Sequence, residues 1–158
     1  MRAKRVLIVC LGNICRSPTA HAVLEHKARL HNVNIEIDSA GTSASHKGER
    51  PDNRSVKAAS ARGYQFNGLY SRPVADHDFD DFDLILAMDN DNLTELKRRC
   101  PPEHAHKLRL FLSFHPDYPA LSEVPDPYYS GSKGFELVLD LIEHACDKLL
   151  VAPVLTDS

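Results

Sequence analysis

The sequence predicts an α/β fold: a single-domain, four-stranded parallel sheet with helices on both faces. Three observations predict it. Short apolar, β-branched runs alternate with amphipathic helical segments along the 158 residues. The first run, Val6 to Cys10, has no polar interruption, as expected of a strand covered on both sides. No repeat, linker or shift in composition divides residues 1–158. At this length a fold buries roughly 68–70% of its unfolded surface, so a core forms without disulfide or metal support.

The elements follow in order. Arg5 to Cys10 is the first strand, and after Ser17 a helix opens at Pro18, where a missing N–H costs nothing. Ala20, Val23, Leu24 and Ala28 share one face of that helix. A second strand, Asn34 to Asp38, runs into Ser39-Ala40-Gly41-Thr42, and a second helix, Asn53 to Arg62, stops at Gly63. Asp83 to Met88 is the third strand. Asp89 then caps a helix carrying Leu93 and Leu96 that ends at Cys100-Pro101-Pro102. Lys107 to Leu112 is the fourth strand, and the last helix starts near Ser132 with Phe135, Val138, Leu139, Ile142, Cys146 and Leu149 at helical spacing. Between them, Ser113 to Ser130 holds four prolines together with Phe114, Tyr118, Leu121, Tyr128 and Tyr129. That aromatic content predicts a packed, functional loop.

Composition excludes several classes of function. The net charge is −3, against a general polyanion binder, so nucleic acid is not an expected partner. No segment approaches the ~20 apolar residues of a membrane span. The basic Met1 to Arg5, apolar Val6 to Cys10 and Ala20-His21-Ala22 imitate a secretory signal, yet the apolar stretch is too short and polar residues follow it. Cys10, Cys15, Cys100 and Cys146 lack any Cys-x-x-Cys pairing and read as the free thiols of a cytoplasmic protein. The nine histidines lack ligand spacing and read as scattered surface residues, so no metal and no cofactor are expected. Asp76, Asp78, Asp80, Asp81 and Asp83 read as a solvated loop and short-helix cap. A monomer is expected.

The chemistry lies in Val9-Cys10-Leu11-Gly12-Asn13-Ile14-Cys15-Arg16-Ser17-Pro18. A bare Cys-x5-Arg is expected about 0.3 times by chance in this composition, and about 0.02 times once Ser follows Arg. Its setting adds to that. A cysteine ending a buried strand, before a short loop and a helix start, sits where backbone N–H groups converge and the helix dipole is positive. Such surroundings stabilise both a thiolate and a phosphate-like oxyanion, so this is a phosphate loop between the first strand and the first helix. Arg16 supplies a planar fork for two phosphate oxygens, and Gly12 and Asn13 are residue types that tolerate a left-handed backbone. Cys10 is the candidate nucleophile.

These residues resemble the signature of the low-molecular-weight protein tyrosine phosphatases. Ser39-Ala-Gly-Thr42, Phe82-Asp-Leu-Ile-Leu-Ala-Met-Asp89 and Asp126-Pro-Tyr-Tyr129 are similar to further family motifs, in order. The resemblance implies a four-stranded parallel sheet, no metal, and a two-step phosphoryl transfer acting on a phosphotyrosine-containing protein or peptide. Thiolate attack would form a phosphocysteine, and the departing phenolate needs a proton. Asp126 looks like that acid, held by Pro125 and Pro127 and flanked by Tyr128 and Tyr129, which lower the local dielectric. The same carboxylate would then activate water while Arg16 and the amides of Leu11, Gly12, Asn13, Ile14 and Cys15 hold the equatorial oxygens. By resemblance, Ser17 donates to the Cys10 sulfur and helps it leave.

Tyr128 and Tyr129 are candidate walls of a slot deep enough for a phenyl phosphate. Cys15 is a candidate redox guard that traps oxidised Cys10 as a disulfide. Two positions depart from the family. Leu69 stands where many members carry a histidine that supports the loop asparagine, which leaves support of Asn13 to Ser39 alone. In the wall loop Ser43 to Asp52, Ser45 and His46 replace an aromatic. An arsenate reductase of the same fold needs a resolving cysteine pair that the sequence lacks. A non-catalytic anion-binding or redox module would be expected to have lost Cys10 or Asp126.

Overall fold

The computed structural model describes residues 3–128 and 131–156. Its strands are β1 (Lys4–Cys10), β2 (Ile35–Gly41), β3 (Leu84–Ala87) and β4 (Leu108–Leu110); its helices are α1 (Arg16–Leu30), α2 (Asn53–Ser60), α3 (Asp78–Asp81), α4 (Asn90–Arg99), α5 (Ser132–Leu149) and α6 (Pro153–Thr156). The strands form one parallel sheet in the order β2-β1-β3-β4.

Period-two alternation divides β1 between two cores. Val6, Ile8 and Cys10 face the layer built from α1, α2 and α5, where Val23, Leu24, Val138, Leu139 and Ile142 close the larger core. Leu7 and Val9 face the opposite layer, against Phe79 of α3 and Leu96 of α4. Val6 to Val9 are fully buried, each contributing about 1.5–3 kcal/mol of apolar transfer. This central strand therefore has no freedom to slide, and Cys10 at its carboxyl end is fixed in register opposite Gly41 of β2. The chain leaves β1 toward β2 on one side and later builds β3 on the other. The carboxyl end of β1 is thus the switch point where ligands bind open parallel sheets.

Local chemistry sets the boundaries. Asp52 caps α2 by accepting from Arg54 N at 2.8 Å, and Asp89 caps α4 by accepting from Asn92 N at 2.8 Å. Gly63, with φ of 92°, turns the chain after α2. Helix α1 opens at Arg16, two residues before Pro18, which falls within the first turn where a missing N–H is harmless. Strand β4 is shorter than expected because Phe111–Phe114 forms a 3-10 turn that buries Phe111 and Leu112. No helix of the described residues is long and apolar enough to cross a membrane.

Two expectations need correction. Within the acidic run, Asp78 is 1% exposed: its carboxylate accepts from Arg72 Nη1 at 2.9 Å, Arg72 Nη2 at 3.2 Å and Ala75 N at 2.8 Å. A charge there is tolerated because it is paired. His21 and His115 are also buried rather than superficial. His21 lies on the face of α1 that covers β2, with Nδ1 3.3 Å from Ser39 Oγ and Nε2 3.3 Å from Glu25. The proline-rich loop is packed at Val124, which is fully buried, while Tyr118 and Leu121 stay exposed.

Candidate active site

The loop between β1 and α1 is strapped to the end of β2. Thr42 N donates to Cys10 O and Ser43 N to Leu11 O, both at 2.9 Å. Gly41 is required there: a Cβ on it would stand 2.7 Å from the Leu11 carbonyl oxygen. Cys10 is 2% exposed, with Sγ 3.2 Å from Asn13 N, which donates to it, and 3.1 Å from Ser17 Oγ.

Asn13 sorts out who donates to whom. Its Oδ1 accepts from Arg72 N at 3.0 Å, which orients the amide, so Nδ2 donates to Ser17 Oγ at 2.7 Å. With an acceptor site of Ser17 filled, its hydroxyl proton is free for the Cys10 sulfur, its nearest other partner; the Ala40 carbonyl is at 3.5 Å. Asn13 holds φ at 55°, the left-handed region. Gly12 does not, and matters instead for space: a Cβ would approach His46 Cδ2 to 2.9 Å. Ser39 does not hold Asn13 as expected. Its hydroxyl is turned to His21, and the support comes from Arg72 N, with Ser71 Oγ donating to Gly12 O at 2.8 Å beside it. Arg72 is anchored in turn by Asp38 and Asp78, so Asn13 is supported by a main-chain donor on a fixed segment.

Arg16 starts α1, and its side chain is 3% exposed. Nη1 donates to Asp89 Oδ2 at 2.6 Å and to Val124 O at 3.0 Å, and Nη2 lies 3.5 Å from Asp126 Oδ2. Burial opposes the charge of the guanidinium, but Cys10, Asp89 and Asp126 outweigh it and hold its pKa above the usual value. Asp126 has a side chain 45% exposed, and its Oδ1 accepts from Tyr128 N at 3.0 Å.

A cavity of about 310 Å³ opens over the loop. Cys10, Leu11, Gly12, Ile14, Cys15 and Arg16 form its floor and near side, Asp126 and Tyr128 one wall, and Ser45 and His46 another. Asn13 and Ser17 stand behind Cys10. Tyr129 lies outside the described residues. Among the described residues no three His, Cys, Asp or Glu side chains gather as metal ligands.

A family model for low molecular weight phosphotyrosine protein phosphatase matches residues 5–157. The chain belongs to that family and is a protein-tyrosine phosphatase. It is 40% identical over 154 residues to a low molecular weight protein-tyrosine-phosphatase of Streptomyces coelicolor, covering 94% of this chain and 92% of that protein. The crystal structure of a protein tyrosine phosphatase from Entamoeba histolytica superposes with a TM-score of 0.90 at 45% identity, covering 94% and 96% of the two chains. That of YfkJ from Bacillus subtilis gives 0.90 at 36%, covering 97% and 96%.

Around the phosphatase cavity, sequence reasoning missed several contributors. Asp89 was legible as a helix cap but not as the partner of Arg16; its place directly after β3, at the carboxyl edge of the sheet, is the signal that points to it. Arg72 gave no motif. Burial pushes the Cys15 thiol up to about 12, against the lowering effect of its hydrogen bond with Ser55, so Cys15 is a neutral thiol at rest. All four cysteines are free.

Proposed function

We propose that this phosphatase hydrolyses phosphotyrosine in proteins or peptides, and small aryl phosphates, through a phosphocysteine on Cys10. One observation carries the proposal: the Cys10 sulfur, the Arg16 guanidinium and the Asp126 carboxyl group meet at one cavity, with Asp126 Oδ2 3.5 Å from Arg16 Nη2. In the first step the sulfur attacks phosphorus, the P–O bond to the aryl group breaks, and Asp126 gives its proton to the leaving phenolate. Arg16 and the N–H groups of residues 11–16 hold the three equatorial oxygens as charge redistributes. In the second step the Asp126 carboxylate takes a proton from water, the water oxygen bonds to phosphorus, and the S–P bond breaks. Ser17 donates to the departing sulfur. Leu11, Ile14, Tyr128 and Tyr129 would contact the aryl ring, and the depth of the slot favours it over the shorter phosphoserine. Cys15 serves as the redox guard of Cys10. The enzyme is proposed to act as a cytoplasmic monomer without a cofactor.

Turnover of p-nitrophenyl phosphate near pH 6 in chelator tests the proposal. Cys10→Ser should abolish it. Asp126→Ala should slow it by about 10²-fold or more while phosphate still binds, with a smaller loss for better leaving groups. Turnover undiminished by Cys10→Ser would refute it.

A further inference from the structure

The segment that carries Asp126 has no helix or strand of its own, so something else must fix where its carboxyl group stands. Its near end is pinned: Val124 N donates to Met88 O at 2.8 Å, and Arg16 Nη1 donates to Val124 O at 3.0 Å. Beyond Asp126 the structure offers a different kind of anchor. Tyr128 N donates to Asp126 Oδ1, so one carboxyl oxygen follows wherever Tyr128 sits. The Tyr128 side chain packs against Ile14, Cys15 and Phe135, and the Arg54 guanidinium carbon lies 5.2 Å from the centre of its ring. Arg54 also lies 4.9 Å from the centre of the Phe135 ring, in the first turn of α5.

Arg54 is itself held in a fixed orientation. Its Nε and Nη2 each donate to the Asp52 carboxylate at 3.0 Å, a planar fork that only arginine makes. Asp52 is tied to the phosphate loop, because Asp52 N donates to Ile14 O at 2.8 Å. A continuous path therefore runs from the phosphate loop through Asp52, Arg54 and Tyr128 to Asp126. We propose that Arg54 is a positioning residue that seats the Asp126 carboxyl group relative to Cys10, acting through its contact with the Tyr128 ring. The inference rests on Asp126 as the general acid and assigns Arg54 no contact with substrate.

Its test is the dependence of kcat/KM on the acidity of the leaving phenol. Arg54→Gln keeps a donor but shortens the side chain and removes the cation. Its kcat/KM for phenyl phosphate should fall roughly three- to tenfold, the worth of one or two exposed cation–π contacts. The loss should shrink as the leaving phenol becomes more acidic, while inhibition by inorganic phosphate stays unchanged because the phosphate loop is untouched. Arg54→Lys keeps a cation against the rings and should lose less. In an Asp126→Asn background Arg54→Gln should add nothing. A loss uniform across leaving groups, equal losses for Gln and Lys, no loss at all, or a full loss persisting in the Asp126→Asn background would overturn the role of Arg54 while leaving the acid assignment standing. If Asp126→Asn alone keeps wild-type leaving-group dependence, the acid assignment fails and this inference with it.

Discussion

Asp89 serves Arg16 with one oxygen and α4 with the other: Oδ2 accepts from Arg16 Nη1 at 2.6 Å, and Oδ1 accepts from Asn92 N at 2.8 Å. Arg16, the proposed phosphate clamp, is thereby oriented by the same carboxylate that starts the helix after β3. Asparagine caps helices as well as aspartate does, so Asp89→Asn separates the two functions. Its kcat/KM should fall about ten- to hundredfold, the loss of a hydrogen bond to a charged group worth about 1.5–3 kcal/mol. The urea midpoint should move little, whereas Asp89→Ala should cost about 1 kcal/mol more in stability.

Asn13 combines a left-handed backbone with the amide that orients Ser17. Asn13→Ala should lose about 1–2 kcal/mol for the backbone alone, measured by urea unfolding. Asn13→Gly accepts that backbone and should recover most of the stability. Neither variant retains the amide, so both should lower kcat similarly. Activity recovered by Gly but not Ala would mean that the backbone, rather than the side chain, is what Ser17 needs.

Stability should decline on the alkaline side. Burial raises the Cys15 thiol from 9.0 to about 12 and raises the fully buried Cys146 as well. In the unfolded chain both thiols lose their protons near the ordinary value, so the unfolded state binds fewer protons there and is favoured as pH rises. The Cys15 contribution is complete below pH 9.0 and is lost between there and about 12, and that of Cys146 is lost over a window that starts at the same pH and reaches higher. Urea midpoints measured at about pH 8 and about pH 10 should differ, and the difference should narrow in Cys15→Ser/Cys146→Ala. An unchanged difference would assign the alkaline loss to other groups.

Peroxide distinguishes the two loop thiols. Oxidation of Cys10 to a sulfenic acid allows condensation with the Cys15 thiol, releasing water and forming a disulfide that added thiol reduces. Wild-type enzyme should regain its activity on that treatment, and Cys15→Ser should regain progressively less as exposure lengthens. Equal recovery would remove the protective role of Cys15.

How much of this was legible in the sequence depended on range. The buried strand from Val6 to Cys10, the cap at Asp89 and the face of α5 follow from neighbours a few residues apart, and each stands as local pattern predicts. The proposed nucleophile Cys10, the proposed clamp Arg16 and the loop around them occupy one continuous stretch. What the sequence did not reveal spans long separations: Arg72 N reaches Asn13 across 59 residues, and Asp89 reaches Arg16 across 73. The Ser39 assignment failed because a buried histidine on α1, which faces β2, takes its hydroxyl. Asp78 reads as solvated in a run of aspartates, yet Arg72 draws it inside. In both cases the deciding partner comes from another element, and residue type alone does not reveal it.

The most direct measurement is a rapid acid quench of enzyme mixed with an aryl phosphate, followed by mass analysis of the peptide containing Cys10. The expected result is one phosphoryl group on Cys10, accumulating further in Asp126→Asn with a good leaving group, because water activation is slowed more than sulfur attack. No phosphoryl group on Cys10 under conditions of active turnover, or one on another residue, would contradict a phosphocysteine mechanism.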